Sequence, residues 1–544
     1  MLLGSGLEAK KADPVLNIIP EPQSVSFEKG TFKVKGANFN YDSFLEPATV
    51  EAIAKLSDGL IFCSGKVSSL AVAAGVNYGT PIGSLHGIYF LKDATLKPEE
   101  YKIEIAPNAV KITASDHNGF LYAISTFKQI LPVEIYAGKP ALKANWKIPC
   151  CTIQDAPRFA YRGLHLDVAR HFYSVEQIKR YLDVAAMYKI NRFHWHLTED
   201  QGWRIEIKKY PLLTETGAFR SGTQLTYDRS QNDGKRYGGY YTQEQMKEIV
   251  AYAGKLGITV IPEFDLPGHT VAALASYPWL GCTGGPYQVR NQWGIAKEVL
   301  CVGKERTFEF MFDVLDEICE IFPSEYIHIG GDECPKDSWN NCPICQAKMD
   351  ELGLVDDEKG TRGQKLQNYV TKRVQDYLAA KGRKIIGWDE ILEGDLAPGA
   401  TVMSWRGTKG GEKAAALGFD VIMSPNTYCY FDYQQDADPK DVVVGFPLRK
   451  GRKPLDARAV YNYEPYEGLE GDASKRILGV QANMWTEYIR NDQELYYQLI
   501  PRLQALSEVQ WCAPERRSYS RLEEKLKNRH FKTMEILGYN YRPL

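Results

Sequence analysis

From about residue 158 the chain alternates short apolar runs with longer stretches of helical periodicity, and this alternation constrains the fold more than any other feature. Eight runs read as strands: 161–167, 192–198, 258–264, 326–331, 384–389, 401–405, 420–424 and 477–485. Helical patterns lie between most of them. Ser174 to Gln177 and Thr242 to Gln245 each fit a capping box just ahead of a helix, and the amphipathic run "GQKLQNYVTKRVQDYLAAKG" stops at Gly382. Strands that alternate with helices form parallel sheets. Eight such units in one stretch predict a (β/α)8 TIM-type barrel over 151–544, closed by a final helix around 521–537. A doubly wound open sheet is the runner-up, but no GxGxxG or P-loop follows the first strand to support it.

Residues 15–150 have a different rhythm. "PQSVSFEKGTFKV" predicts two short strands about a Lys29-Gly30 turn, and "YKIEIAPNAVKITAS" a hairpin turning at Pro107 and Asn108. "DHNGFLYAISTFKQIL" follows as an amphipathic helix. This is a smaller α+β domain ahead of the barrel, with "NWKIPCCTIQDAPRF" as the linker. The opening "MLLGSGLEAKKADP" lacks a basic n-region and a full apolar core, so residues 1–14 read as a disordered tail.

The totals exclude several partners. Sixty-six basic and 68 acidic residues leave a net charge of -2, which gives no electrostatic reason to expect nucleic acid or an anionic membrane. No apolar stretch is long enough to cross a bilayer.

A barrel carries its active site where strands end and loops begin. Those ends read "RGLHLDVARH", "FHWHLTEDQGWR", "TVIPEFDLPGH", "YIHIGGDECP", "KIIGWDEIL", "TVMSWRG", "DVIMSPNTYCYFDYQ" and "GVQANMWTEY". Trp388, Trp405 and Trp485 stand at three separate exits. Aromatic walls with carboxylates and an arginine between them suit a sugar, whose C–H faces pack on flat rings and whose hydroxyls need polar partners. The adjacent pair Asp332-Glu333 offers a proton donor and a stabiliser for an oxocarbenium-like centre. Crowding and burial would raise the pKa of one of them. The bland reading is a helix N-cap and a first-turn acid. The other strand ends favour the catalytic one.

In their order along the chain, "RGLHLDVAR", "FHWHLTEDQGWR", "EFDLPGH", "HIGGDE", "GWDE", "SWRG" and "NMWTE" resemble the motifs of family 20 glycoside hydrolases, the β-N-acetylhexosaminidases, over most of residues 158–511. The N-terminal α+β domain is similar to the one that commonly precedes the barrel in that family. The resemblance implies a retaining, exo-acting hydrolase of terminal β-linked GlcNAc or GalNAc. In it the substrate's own acetamido oxygen is the nucleophile, Glu333 is the general acid/base, and Asp332 orients the acetamido group. No cofactor is implied. Carried over by position, Arg162 binds sugar hydroxyls, and Asp200 and His269 support the catalytic pair. Trp388, Trp405 and Trp485 enclose the acetamido methyl and the ring. Tyr430 hydrogen-bonds the acetamido oxygen, and Asp432 and Glu487 hold the outer hydroxyls. Some members carry a further pocket Trp soon after the Tyr-x-Asp motif, whereas residues 433–460 here contain none. A tyrosine supplies that wall, or it is open.

Two other readings stand beside this one. His194 and His196, with His165, His269 and His328, form either a metal-dependent hydrolase site or a set of interior histidines hydrogen-bonded to carboxylates, and the second is preferred. A barrel that binds carbohydrate without cleaving it is the third. Among eleven cysteines, the CxxC at Cys342 and Cys345 with Cys334 nearby invites a zinc reading, but no second CxxC or HxxxH completes it. A disulfide between Cys282 and Cys301 would close the loop they flank and point to an oxidising compartment. Some family members have such a bond, and with the substrate class it implies export to the periplasm, cell surface or medium.

Overall fold

The computed structural model describes residues 15–394, 398–436, 445–446 and 453–544. The tail expected over 1–14 lies outside the described residues. The chain divides into two compact units, residues 15–157 with Trp511–Tyr539, and Arg158–Gln510 with Asn540–Leu544.

In the first unit a mixed seven-stranded sheet runs in the order Ser24–Lys33, Lys147–Asp155, Tyr101–Ile105, Ala109–Ala114, Gly87–Lys92, Phe39–Tyr41, Leu70–Val72. The hairpin about Pro107 and Asn108 forms in register, with Ile105 opposite Val110. The helix His117–Ile130 begins at Asp116, whose side chain accepts the Gly119 N–H. It lays Phe120, Ala123 and Phe127 onto Ile103 and Ile112 of the sheet.

Three expectations change. Residues 24–33 are one strand with an irregularity between Phe27 and Thr31, not two strands, because the partner strand runs past the break. The expected linker is largely the strand Lys147–Asp155, paired on both sides. Its Ile148, Cys150, Cys151 and Ile153 are buried, so it fills the sheet's interior. The final helical stretch, Tyr519–Lys525 through Phe531–Leu537, belongs to this first unit and does not close the barrel. His530 Nε2 donates to Asn17 O at 2.9 Å and Arg529 to Lys128 O at 3.0 Å.

The second unit is a closed barrel of eight parallel strands: β1 (Tyr161–Asp167), β2 (Arg192–His196), β3 (Thr259–Glu263), β4 (Tyr326–His328), β5 (Lys384–Trp388), β6 (Thr401–Ser404), β7 (Asp420–Met423) and β8 (Ile477–Ala482), with β8 paired to β1. The capping boxes at Ser174 and Thr242 form as the sequence predicts. Alternation along each strand sends one set of side chains inward. Tyr161, Ile261, Ile386, Met403 and Ile422 form an apolar cluster. Around and beside it is a polar set: Tyr161 donates to Gln481 Oε1 at 2.7 Å, and Gln481 Nε2 donates to His194 Nδ1 at 2.9 Å.

Candidate active site

β4 is the shortest strand of the barrel, and what stops it builds the site. Gly330, Gly331 and Glu333 all adopt positive φ, at 64°, 97° and 45°. A Cβ on Gly330 would stand 1.8 Å from Asp265 Oδ1 and 2.8 Å from Asp265 Cα, so only glycine fits there. Asp265 Oδ1 accepts the Gly331 N–H at 3.1 Å, and Gln367 donates to Gly331 O at 2.6 Å. A regular strand would send Asp332 and Glu333 to opposite faces. The left-handed turn instead brings both to one cavity, with 14% and 35% of their side chains exposed. A non-glycine residue at positive φ is uncommon and costs on the order of 1–3 kcal/mol, and such residues cluster at working sites. The second one here is His269, at φ 50°.

His269 faces this pair. Its Nε2 lies 3.8 Å from Asp332 Oδ2 and 3.7 Å from Glu333 Oε2, while its Nδ1 donates to Glu199 Oε1 at 2.6 Å. Burial disfavours charge on the ring, but Glu199, Glu333 and Asp332 outweigh it and hold the imidazole well above its ordinary pKa. Burial likewise pushes Glu199 upward, and Arg170 and His269 overcome it, keeping that carboxylate ionised. Burial raises Asp332 to about 7, with His269 opposing and Glu333 adding to the rise. Its Oδ1 is buried without a protein partner among the described residues.

The cavity, of about 640 Å³, is large enough for a sugar and is lined by aromatic rings and charged groups. Trp405 and Tyr430 stack at 6.1 Å and 20°, and the Trp405 indole N–H donates to Glu390 Oε2 at 2.8 Å. Trp485 lies beside Tyr430 and under the Arg170 guanidinium, 5.0 Å from its ring centroid. Asp432 and Glu487 face the same space. Burial raises both carboxyls, Asp432 further through Glu487, and Asp432 Oδ1 is buried without a partner among the described residues. Tyr433, Tyr488, Tyr227 and Phe446 line the cavity as well.

Thus Asp332, Glu333, His269, Trp405, Tyr430, Asp432, Trp485 and Glu487 meet at one cavity. Asp200 lies one layer behind, fully buried, and accepts the Val271 and Ala296 N–H groups at 3.1 and 3.2 Å. Burial and the neighbouring Glu199 raise it to about 6. Trp388 is only 1% exposed; its N–H donates to Glu263 Oε1 at 2.9 Å, and its ring packs against Trp485 from inside the barrel.

Arg162 is a correction. It is the second residue of β1, at the end opposite the cavity, and the alternation that turns Tyr161 inward turns it out. Its guanidinium donates to the Lys189 and Phe159 carbonyls, each at 2.8 Å. The arginine at the mouth is Arg170. Asp167, the last residue of β1, accepts the Ala169 and Arg170 N–H groups at 2.8 and 3.1 Å and turns the chain into the cavity. Arg170 then bonds Glu199 Oε2 at 2.8 Å. Reading β1 to its C-terminal end would have selected it.

The interior histidines gather on Glu263: His194 Nε2 lies 3.0 Å and His328 Nδ1 3.1 Å from its carboxylate, and His196 Nδ1 donates to it. Cys282 and Cys301 are free thiols.

Comparison with known proteins agrees with this geometry. The description "Glycosyl hydrolase family 20, catalytic domain" matches residues 159–514, and "Glycosyl hydrolase family 20, domain 2" matches 15–156. A β-hexosaminidase of Porphyromonas gingivalis is 42% identical over 533 residues, covering 97% of this chain and 64% of its own. One from Vibrio furnissii is 39% identical over 417 residues, covering 76% and 65%. The chain therefore spans just under two thirds of these relatives' lengths. Among solved structures, a Vibrio harveyi exo-β-N-acetylglucosaminidase in complex with N-acetylglucosamine superposes with a TM-score of 0.81 at 32% identity, over 100% of this chain and 81% of that one. The β-N-acetylhexosaminidase of Streptomyces coelicolor gives 0.82 at 28%, over 98% and 99%.

Proposed function

The chain belongs to glycosyl hydrolase family 20, and on that premise we propose that it is an exo-acting, retaining β-N-acetylhexosaminidase. Its substrates are glycans ending in β-linked GlcNAc or GalNAc. The observation that carries this reading is the left-handed turn after β4, which delivers two adjacent carboxylates of different exposure to one aromatic cavity.

Glu333, the more exposed, donates a proton to the glycosidic oxygen as that bond breaks. The substrate's acetamido oxygen attacks the anomeric carbon from the other face and closes a five-membered oxazolinium ring, so no carboxylate nucleophile is needed. Asp332 accepts the acetamido N–H through its unpartnered oxygen and offsets the positive charge that develops. Glu333 then takes a proton from water, which attacks the same carbon, reopens the ring and restores the β configuration. The pairing of Trp405, Tyr430 and Trp485 supports a seat for the acetamido methyl and the sugar ring. Arg170, Asp432 and Glu487 supply charged partners for hydroxyls, a strong form of hydrogen bond in a water-poor site.

The test is hydrolysis of p-nitrophenyl β-GlcNAc and β-GalNAc, with and without a thiazoline that mimics the cyclic intermediate. Glu333→Gln should lower kcat by at least about 10³-fold. Near-normal turnover in that variant, or indifference to the thiazoline, would sink the assignment.

A further inference from the structure

We propose that Cys282, Cys301, Cys342 and Cys345 form a structural zinc site of four thiolates beside the active-site loops.

The four Sγ atoms lie within 4.8 Å of one another, with Cys301 to Cys342 and Cys301 to Cys345 at 3.7 Å and Cys282 to Cys345 at 3.9 Å. A disulfide holds its sulfurs about 2.05 Å apart. A zinc ion bound tetrahedrally at about 2.3 Å per sulfur sets its sulfurs about 3.8 Å apart along each edge. The three short contacts have the second spacing. Four thiols paired as two disulfides would leave gaps of that size between pairs, but each pair would also need one short contact, and all four cysteines are free.

The backbone converges on this point from three places. Gly281 and Leu300 form an antiparallel bridge that sets Cys282 beside Cys301. Trp339 Nε1 donates to Leu300 O at 2.8 Å, bringing up the start of the helix Pro343–Glu351, which carries Cys345 in its first turn behind Cys342. The positive end of that helix favours thiolates. So does Lys304, whose Nζ donates to the Trp279 and Gly281 carbonyls at 2.8 Å each. Cys301, Cys342 and Cys345 are buried and Cys282 is half-buried, so the site is closed to solvent as a structural rather than a catalytic one. The sequence could not assemble it, because only one CxxC is contiguous and Cys334, the nearest candidate, lies outside the cluster.

The site would anchor two loops of the active site. The segment between Cys282 and Cys301 carries Trp293, Gly294 and Ile295 to the cavity wall, and its Ala296 N–H bonds Asp200. The segment from Glu333 to Cys342 leaves the catalytic turn directly. The argument from a disulfide to an oxidising compartment then loses its basis.

Binding requires no redox step: one zinc ion displaces the thiol protons, which are released. The full chain, produced without a metal-affinity tag, should contain about one zinc per chain by elemental analysis after dialysis against a chelator. An organomercurial should release that zinc as the thiols are titrated. Cobalt(II) introduced in its place should show the intense thiolate bands of a tetrahedral site. Cys301→Ser and Cys345→Ser should each reduce bound zinc to less than about a tenth, whereas Cys150→Ser should not change it. Zinc-free wild-type protein, iron in place of zinc, or a Cys282–Cys301 disulfide in a non-reducing peptide map would overturn the proposal. None of these readouts depends on hydrolytic activity.

Discussion

Gly330 offers the most direct perturbation of the turn after β4. In Gly330→Ala the new Cβ would meet Asp265 Oδ1 at 1.8 Å and Asp265 Cα at 2.8 Å. The side-chain clash could be relieved by rotating the carboxylate, which would break its bond to Gly331 N; the clash with Cα is with backbone and needs β3 or β4 to move. A left-handed alanine costs about 1–2 kcal/mol, and overpacking adds about 1–3 kcal/mol, so a loss of about 2–5 kcal/mol follows. With an unfolding entropy of about 2 cal/mol/K per residue, a unit the size of the barrel loses about 1–2 °C per kcal/mol. Tm should therefore fall by about 3–8 °C by differential scanning calorimetry. Because Glu333 follows three residues later, a backbone shift of about 1 Å should also cost about 10²-fold in kcat on the p-nitrophenyl glycoside. Gly382→Ala is the control: its φ of 71° is equally left-handed, but nothing lies within 4 Å of the added Cβ. It should cost only about 1–2 kcal/mol and leave kcat unchanged. If Gly330→Ala matched Gly382→Ala in both stability and rate, the close approach of β4 to Asp265 would not be what sets the turn.

Two further outcomes are expected. In the proposed mechanism Asp332 works as a carboxylate, and burial raises it to about 7. The rate should therefore fall as pH drops through about 7 and the group protonates, with a slope of one in log kcat/KM. Asp332→Asn should leave a low rate without that limb, and a wild-type profile flat from about pH 5 to 8 would contradict the assignment. Losing a charged hydrogen-bond donor costs about 1.5–3 kcal/mol, so Arg170→Met should lower kcat/KM by about 10- to 100-fold. Arg162→Met should instead lower Tm, with kcat/KM within about twofold of wild type, since its buried bonds go to the backbone.

The barrel was legible because most strands announce themselves twice, by an apolar run and by the helix pattern that follows. The expected strand at 326–331 stops early, at His328, because the two glycines that suggested a break make it sooner than an apolar count would place it. The N-terminal sheet was harder. Lys147–Asp155 pairs with strands far away in sequence, and no local signal separates such a strand from a linker. At the site, residues next to a strand's exit could be placed by the strand-end rule, which Arg162 breaks and Arg170 obeys. Glu199 was passed over for its neighbour Asp200, because two adjacent acids cannot be ranked without knowing which one faces His269. Trp293, Tyr488 and Tyr227 arrive on long loops, whose path depends on tertiary contacts alone.

Glu199 divides its two oxygens, one to His269 and the other to Arg170, both of which line the cavity. It is a shared electrical node, so in the proposed mechanism the group that binds hydroxyls is coupled through it to the groups that move protons. In that mechanism a sugar that drew Arg170 toward itself would take positive charge away from Glu199. Glu199 would then bond His269 more strongly, and the field at Asp332 and Glu333 would change with it. A ligand lacking those hydroxyls should bind more weakly and also shift the acid limb set by Asp332.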